Sequence, residues 1–183
     1  MAARDLRYTV LGEDREHLNF VRRWLLALGV PRRHMHEVPL PAGTGAGEQY
    51  VREQYARLVR DHRARVNHQR MALIVVVDAD RTTVRDRQRL LDAQLERPRE
   101  SDERIVHLIP RRNIETWLTA LLEPDRPDLD ESTSYKDEFP PRDAAEECRS
   151  AAPPFIEFLR VAQTPKDLPS LLVARAETQR LDR

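Results

Sequence analysis

The apolar run MALIVVV, at residues 71–77, constrains the fold of this chain more than any other part of its sequence. A continuous run of this length, bounded by charged residues, predicts a strand that is buried on both faces. Strands of that kind lie at the centre of a parallel sheet, because crossover helices cover both of its faces. The run ends abruptly in Asp78-Ala79-Asp80, so two carboxylates follow directly on the strand.

On both sides of this run, short apolar stretches alternate with segments whose apolar residues recur at helical spacing. Short apolar runs predict four strands in all, at residues 7–11, 33–39, 71–77 and 104–109. Helical spacing of apolar residues predicts helices after each of them, at residues 14–28, 48–68, 83–95 and 114–122. Strands that alternate with helices are typical of a parallel sheet joined by right-handed crossovers. We therefore predict an α/β fold with a Rossmann-like parallel sheet of about four strands and helices on both faces.

Beyond residue 122 the pattern changes. Residues 123–141 are acidic, rich in proline and without periodicity, as is typical of a lid, a partner-binding segment or a disordered loop. Apolar residues then predict further helices near 155–162 and 168–181. A chain of 183 residues fits one domain. We predict an α/β core at residues 1–122 and, at 123–183, a loop and helical extension packed on the same domain.

The composition excludes several classes of protein. Lysine and arginine total 31 and aspartate and glutamate total 31, and this neutral balance argues against a protein that coats nucleic acid by bulk charge. The single cysteine, Cys148, excludes an intramolecular disulfide framework. No apolar stretch approaches the ~20 residues that span a bilayer, and the N-terminus lacks a signal-like apolar run. We therefore predict a cytoplasmic protein with no membrane partner.

Three acidic residues follow strands at the edge where parallel sheets place their active sites, the carboxyl ends of the strands. Glu13 follows the first strand, and Asp78 and Asp80 follow the buried one. Period-two geometry would point the two aspartates to the same side, where their charges repel unless a cation neutralises them. Oxygen ligands of this kind suit Mg²⁺ or Mn²⁺. The alternative is that these acids cap helices and complement helix dipoles.

A strand–Glu–helix unit and a strand–Asp-x-Asp unit in one parallel sheet resemble the TOPRIM domain, which topoisomerases, bacterial primases and several nucleases share. The resemblance covers roughly residues 7–109 and extends more loosely through residue 122. It implies that Glu13 is a general acid or base and that Glu13, Asp78 and Asp80 bind Mg²⁺ or Mn²⁺. In this chain Asp14 follows the glutamate, where the family usually has glycine.

The stretches GEDREHLNF and IPRRNIETWL are most similar to small stand-alone TOPRIM proteins related to the overcoming-lysogenization-defect (OLD) nucleases, which often occur in phage-defence operons. That similarity implies that Glu115 is a ligand of a second metal ion and that Lys136 offsets charge on the phosphorus. It also implies a separate ATPase partner and metal-dependent hydrolysis of phosphodiester bonds in DNA or RNA. Four arginines flank the acidic loops and are candidates to hold the nucleic-acid backbone: Arg81, Arg85, Arg111 and Arg112.

Other functions fit parts of the pattern. A non-catalytic, TOPRIM-like interaction subunit would use the same scaffold for docking. The Asp-x-Asp segment also fits the first motif of haloacid-dehalogenase-type phosphatases, although that motif normally lies on the first strand. A receiver domain with Asp78 as phosphoacceptor would not explain Asp80. The choice between DNA and RNA, between one metal ion and two, and between a monomer and a homo-oligomer stays open at this point.

Overall fold

The structure is a computed structural model that describes residues 6–41, 47–138, 144–161 and 168–182. Within these residues, parallel strands form one sheet in the order β2-β1-β3-β4. They are β1 (Arg7–Gly12), β2 (Met35–Glu37), β3 (Met71–Val76) and β4 (Ile105–Leu108). The predicted α/β class and parallel sheet are confirmed, and the long apolar run supplies an inner strand with every residue buried.

Helices cover both faces of this sheet. They are α1 (Arg15–Ala27), α2 (Gly47–Arg65), α3 (Val84–Asp92), α4 (Ile114–Leu122), α5 (Ala144–Val161) and α6 (Pro169–Thr178). Side chains of α1, α4 and α5 share a hydrophobic cluster with Ala72 and Ile74 of β3. Side chains of α2 and α3 share a second cluster with Leu73 and Val75, which point to the opposite face. No helix in the described residues is both long and apolar enough to cross a membrane.

The second predicted strand, at residues 33–39, is shorter in the structure. The chain first makes a 3₁₀ turn at Arg32–His34, and β2 then spans only Met35–Glu37. This strand lies at the edge of the sheet, where pairing with β1 supports it from one side. Short edge strands of this kind limit unwanted pairing with other chains.

Helix α5 begins at Ala144, well before the helix predicted near residue 155, and it contains Pro153 and Pro154. A proline inside a helix removes the hydrogen bond to the carbonyl group four residues earlier. The residues at those positions, Arg149 and Ser150, are exposed, so water can hydrate their carbonyl groups. The cost of the two prolines is therefore small enough for the packed helix to continue through them.

The segment after α4 packs on the core through residue 138. Leu129 and Tyr135 are buried in the same hydrophobic cluster as α1 and α4. The predicted loop is therefore anchored by apolar side chains as far as it is described, and its last residues, 139–141, lie outside the described residues.

Side chains protect the outer edge of β4. Glu177 of α6 accepts a hydrogen bond from the backbone N–H of His107 at 2.9 Å, and Arg99 donates to the carbonyl oxygen of Ile105 at 3.0 Å. Arg99 and Glu177 also pair with each other at 2.7 Å. Backbone groups of an edge strand that are satisfied in this way are not available to another chain.

His107 should make stability depend on pH. Its ring is fully buried with Nε2 2.8 Å from the Tyr55 hydroxyl, and burial and nearby arginines hold its pKa well below 6.5. The folded state keeps the ring neutral while the unfolded state binds a proton, so this contribution is present above about pH 6.5 and falls below it, by up to about 1.4 kcal/mol per pH unit.

The variant His107→Gln keeps an acceptor near Tyr55 but cannot titrate. Its deficit in unfolding free energy relative to wild type, measured by denaturant unfolding, should therefore shrink as the pH falls from 7 to 5. Tyr55→Phe keeps the imidazole and serves as the control, which should follow the wild-type pH dependence. A deficit that does not change with pH would contradict a neutral buried His107.

Candidate metal centre

The pairing of β1 with β3 brings two distant acids together. The two strands are parallel with Gly12 opposite Val76, and the backbone N–H of Glu13 donates to the Val76 carbonyl oxygen at 3.3 Å. The chain of β3 continues to Asp78, whose backbone N–H donates to Glu13 Oε2 at 3.2 Å. Glu13 and Asp78 thus meet at the carboxyl edge of the sheet, as the sequence predicts.

A histidine that the sequence interpretation passed over lies beside them. His17, in the first turn of α1, is fully buried, and its Nε2 lies 2.8 Å from Asp78 Oδ1. Its Nδ1 lies 2.7 Å from Oδ1 of Asp14, the residue that caps α1. Potential ligand atoms of Glu13, His17 and Asp78 all lie within 4.8 Å of one another. The arrangement offers one nitrogen and two carboxylate groups to a metal ion.

The first turn of α1 explains why His17 faces the site. Asp14 accepts a hydrogen bond from the His17 backbone N–H at 3.0 Å, which fixes the start of the helix directly after β1. His17 then lies on the same helix face as Val21 and Trp24, which are buried in the core. A polar residue at that position of an apolar stripe was the sequence signal that could have identified it.

The charges of the site change the acidity of its members. Burial alone would lower the pKa of His17, but the carboxylates of Asp78 and Asp14 raise it well above 6.5. Burial alone would raise the pKa of Asp14, but its hydrogen bonds to His17 lower it to about 2. Burial raises the pKa of Glu13, with His17 opposing and Asp78 adding to the rise. Without a metal ion, His17 therefore supplies the positive charge between the acids.

Asp80 does not continue the extended backbone that the period-two geometry assumes. Its backbone is left-handed, with φ at 54°, and its side chain is half exposed. Its carboxylate lies 3.5 Å from the buried guanidinium of Arg87, which also pairs with Glu48 at 2.6 Å. The charge of Asp80 still raises the pKa of Glu13. Asp80 thus lies at the rim of the site, held by an arginine that the sequence interpretation did not select.

Glu115 is buried in the first turn of α4. Its side-chain oxygen Oε2 is among the buried polar atoms without a hydrogen-bond partner. Burial raises the pKa of Glu115, Lys136 opposes the rise, and the charges of Asp78 and His17 also act on it. A buried carboxylate oxygen that lacks a partner is costly unless a cation or water serves it. Glu115 therefore stays a candidate ligand next to the site.

The loop after α4 brings Lys136 to the same acids. Lys136 starts a single 3₁₀ turn and is exposed, and its neighbour Tyr135 is buried in the core. Asn113, which caps α4, donates to Ser134 Oγ at 2.8 Å and so ties the loop to the start of that helix. Burial would lower the Lys136 pKa, but four acids raise it: Asp78, Glu115, Asp14 and Asp80.

The four predicted nucleic-acid-binding arginines lie around the turn after β3 and the segment before α4. Arg81 and Arg85 are exposed, whereas Arg111 and Arg112 are partly buried. Arg111 donates to the carbonyl oxygen of Thr82, so it joins the two acidic segments to each other. Arg81 and Arg85 present positive charge to solvent next to the rim that Asp80 forms.

Gly47, among the glycines that the structure describes, lets α2 begin close to Glu13. It begins α2, and a Cβ atom there would lie 2.4 Å from Glu13 Cγ and 2.9 Å from Glu13 Oε1. Distances of this kind are far below van der Waals contact. A side chain at position 47 would therefore push Glu13 from its present place.

No family model, curated protein or solved structure matches this chain. The resemblance to the TOPRIM domain therefore stays a prediction from the sequence. A functional proposal for this chain rests on the arrangement of Glu13, His17 and Asp78.

Gly47→Ala should displace Glu13 and weaken its contact with Asp78. We expect hydrogen exchange at the Asp78 amide to accelerate about fivefold, the equivalent of a hydrogen bond worth about 1 kcal/mol. NMR on the variant measures this directly. In a protein that already carries Glu13→Ala, adding Gly47→Ala should not change hydrogen exchange at the Asp78 amide. Faster exchange in that double variant would contradict a steric clash between position 47 and the Glu13 side chain.

Glu115→Gln should raise the unfolding free energy of the metal-free protein by about 1 kcal/mol at pH 8, because it replaces a buried, incompletely partnered charge with a neutral amide. Denaturant unfolding measures the change. Glu157→Gln, at an exposed helix position, is the matched control and should change stability by less than about 0.5 kcal/mol. A marked loss of stability in Glu115→Gln would mean that the carboxylate has a structural partner.

Proposed function

We propose that this protein hydrolyses phosphodiester bonds of nucleic acid in a reaction that depends on a divalent metal ion. The observation that carries the proposal is the contact between Glu13 Oε2 and Asp78, 65 residues apart in the chain and adjacent at the carboxyl edge of the sheet. Asp14 and Asp78 share the imidazole of His17, while Glu13 and the buried Glu115 bring further negative charge to the same place. A divalent cation would offset that charge. Mg²⁺ or Mn²⁺ is the expected ion for a site rich in carboxylates.

The residues present fit such an ion. Glu13 and Asp78 would hold it, and the unpartnered Oε2 of Glu115 is available to a second ion or to a water molecule. Asp80 adds negative charge at the rim. When bound, the metal ion polarises a phosphoryl oxygen and offsets the negative charge that develops during hydrolysis.

The protein's own side chains would complete the reaction. Glu13 is assigned the proton transfer to or from the attacking water or the leaving oxygen, because it is half-buried at the edge where substrate would arrive. Lys136, exposed beside four acids, would stabilise charge on the phosphorus. Arg81 and Arg85 would contact neighbouring phosphates and position the strand without reading its sequence.

A separate ATPase and a cytoplasmic site of action belong to the same proposal. They rest on the similarity to stand-alone TOPRIM proteins of phage-defence operons. Asp80, Arg81 and Arg85 are exposed in and after the turn that follows β3, and the proposal places the strand of nucleic acid along them. A homo-oligomer is compatible with this arrangement but is not required by it.

The test is cleavage of supercoiled plasmid, linear duplex, single-stranded DNA and structured RNA in Mg²⁺ or Mn²⁺. We expect Glu13→Gln to lower the rate about 10²- to 10⁴-fold, the usual contribution of general acid–base catalysis. Asp78→Asn should abolish cleavage because it removes a ligand of the metal ion. Asp61→Asn, on the exposed side of α2, is the matched control and should retain the full rate.

Two outcomes would contradict the proposal. The first is cleavage that survives in a Glu13→Gln, Asp78→Asn double variant, which would place the activity elsewhere. The second is a folded wild-type protein that cleaves none of these substrates, either alone or with a separate ATPase. That result would favour the non-catalytic interaction subunit instead.

A further inference from the structure

We infer that His17 is a direct ligand of the metal ion through Nε2, and that Asp14 is the positioning residue that aims it. The site would then prefer a transition-metal ion such as Mn²⁺ over Mg²⁺. This inference rests on the proposed metal site and adds to it a nitrogen ligand and a metal preference, neither of which follows from paired carboxylates.

The spacing of the ligand atoms supports coordination. His17 Nε2 and Asp78 Oδ1 are 2.8 Å apart, and a Glu13 oxygen completes a set within 4.8 Å. Two ligand atoms bonded at right angles to one octahedral ion at about 2.1 Å lie about 3 Å from each other. The His17 and Asp78 atoms therefore already have the separation that coordination of one ion requires. The proton that Nε2 otherwise shares with Asp78 is released when the ion binds.

Asp14 fixes the ring in the required orientation. Its Oδ1 contacts His17 Nδ1 at 2.7 Å and accepts from the His17 backbone N–H at 3.0 Å, so one carboxylate oxygen holds both the helix start and the imidazole. A histidine that donates its Nδ1–H to a carboxylate keeps the Nε2 lone pair for a metal ion. Complete burial of His17 removes other orientations of the ring.

The chemistry of the ligand set indicates which ion the site would prefer. Glu115 Oε2 is buried without a partner, and its carboxylate is electrostatically coupled to both Asp78 and His17. A mixed set of imidazole and carboxylate ligands suits Mn²⁺, Fe²⁺ or Zn²⁺, whereas Mg²⁺ takes oxygen ligands almost alone.

The experiment is pulsed EPR on the purified full chain with added Mn²⁺ and no nucleic acid. Wild type should show nuclear modulation from one directly bound imidazole nitrogen, and incorporation of ¹⁵N-histidine should change its frequencies. His17→Gln should lose that modulation, while the control His36→Gln, at an exposed position on β2, should keep it. Asp14→Asn keeps an N-cap and should retain the modulation but bind Mn²⁺ about 10- to 100-fold more weakly.

A titration that compares Mn²⁺ with Mg²⁺ gives a second readout. The preference for Mn²⁺ in wild type should fall at least about tenfold in His17→Gln. Bound Mn²⁺ without histidine modulation in wild type, or with modulation that persists in His17→Gln, would overturn this inference and leave the carboxylate site intact. Absence of Mn²⁺ binding in folded wild type would overturn the inference and the proposed function together.

Discussion

The parallel pairing of β1 with β3 is the interaction on which the site depends. It aligns Gly12 with Val76, so the chain leaves both strands at the same level and Glu13 and Asp78 emerge side by side. The pairing is held by burial of β3 on both faces, because each alternate residue enters a different hydrophobic cluster. A shift of one residue in this register would separate Glu13 from Asp78 and turn each apolar side chain to the wrong face.

Charge at this edge is concentrated and incompletely balanced. His17 lies between Asp14 and Asp78, Lys136 approaches from the loop after α4, and the Glu115 side chain keeps an oxygen without a partner. Such an arrangement destabilises the metal-free fold relative to an apolar one, since buried charges are costly unless fully paired. Proteins retain unfavourable groups of this kind chiefly where function requires them.

Local patterns predicted most of the fold. The periodic spacing of apolar residues predicts the strand at 71–77 and the alternation of strands with helices. Residues at the helix ends predict the caps, so both features can be read from the sequence alone. The apolar residues from Phe155 onward predict only the second half of α5. The helix continues through Pro153 and Pro154 because it packs on α1 and α4. Intrinsic helix propensity predicts helix boundaries poorly where tertiary packing outweighs it.

The sequence by itself determined the class of fold, the edge at which the acids gather, and the identity of Glu13 and Asp78 as neighbours. Only the tertiary structure decided that Asp80 adopts a left-handed conformation beside Arg87 and that His17 lies against Asp78. The physical reason is distance along the chain. The alternation of strands and helices follows from local signals, whereas a contact between His17 and Asp78, 61 residues apart, depends on how whole elements pack.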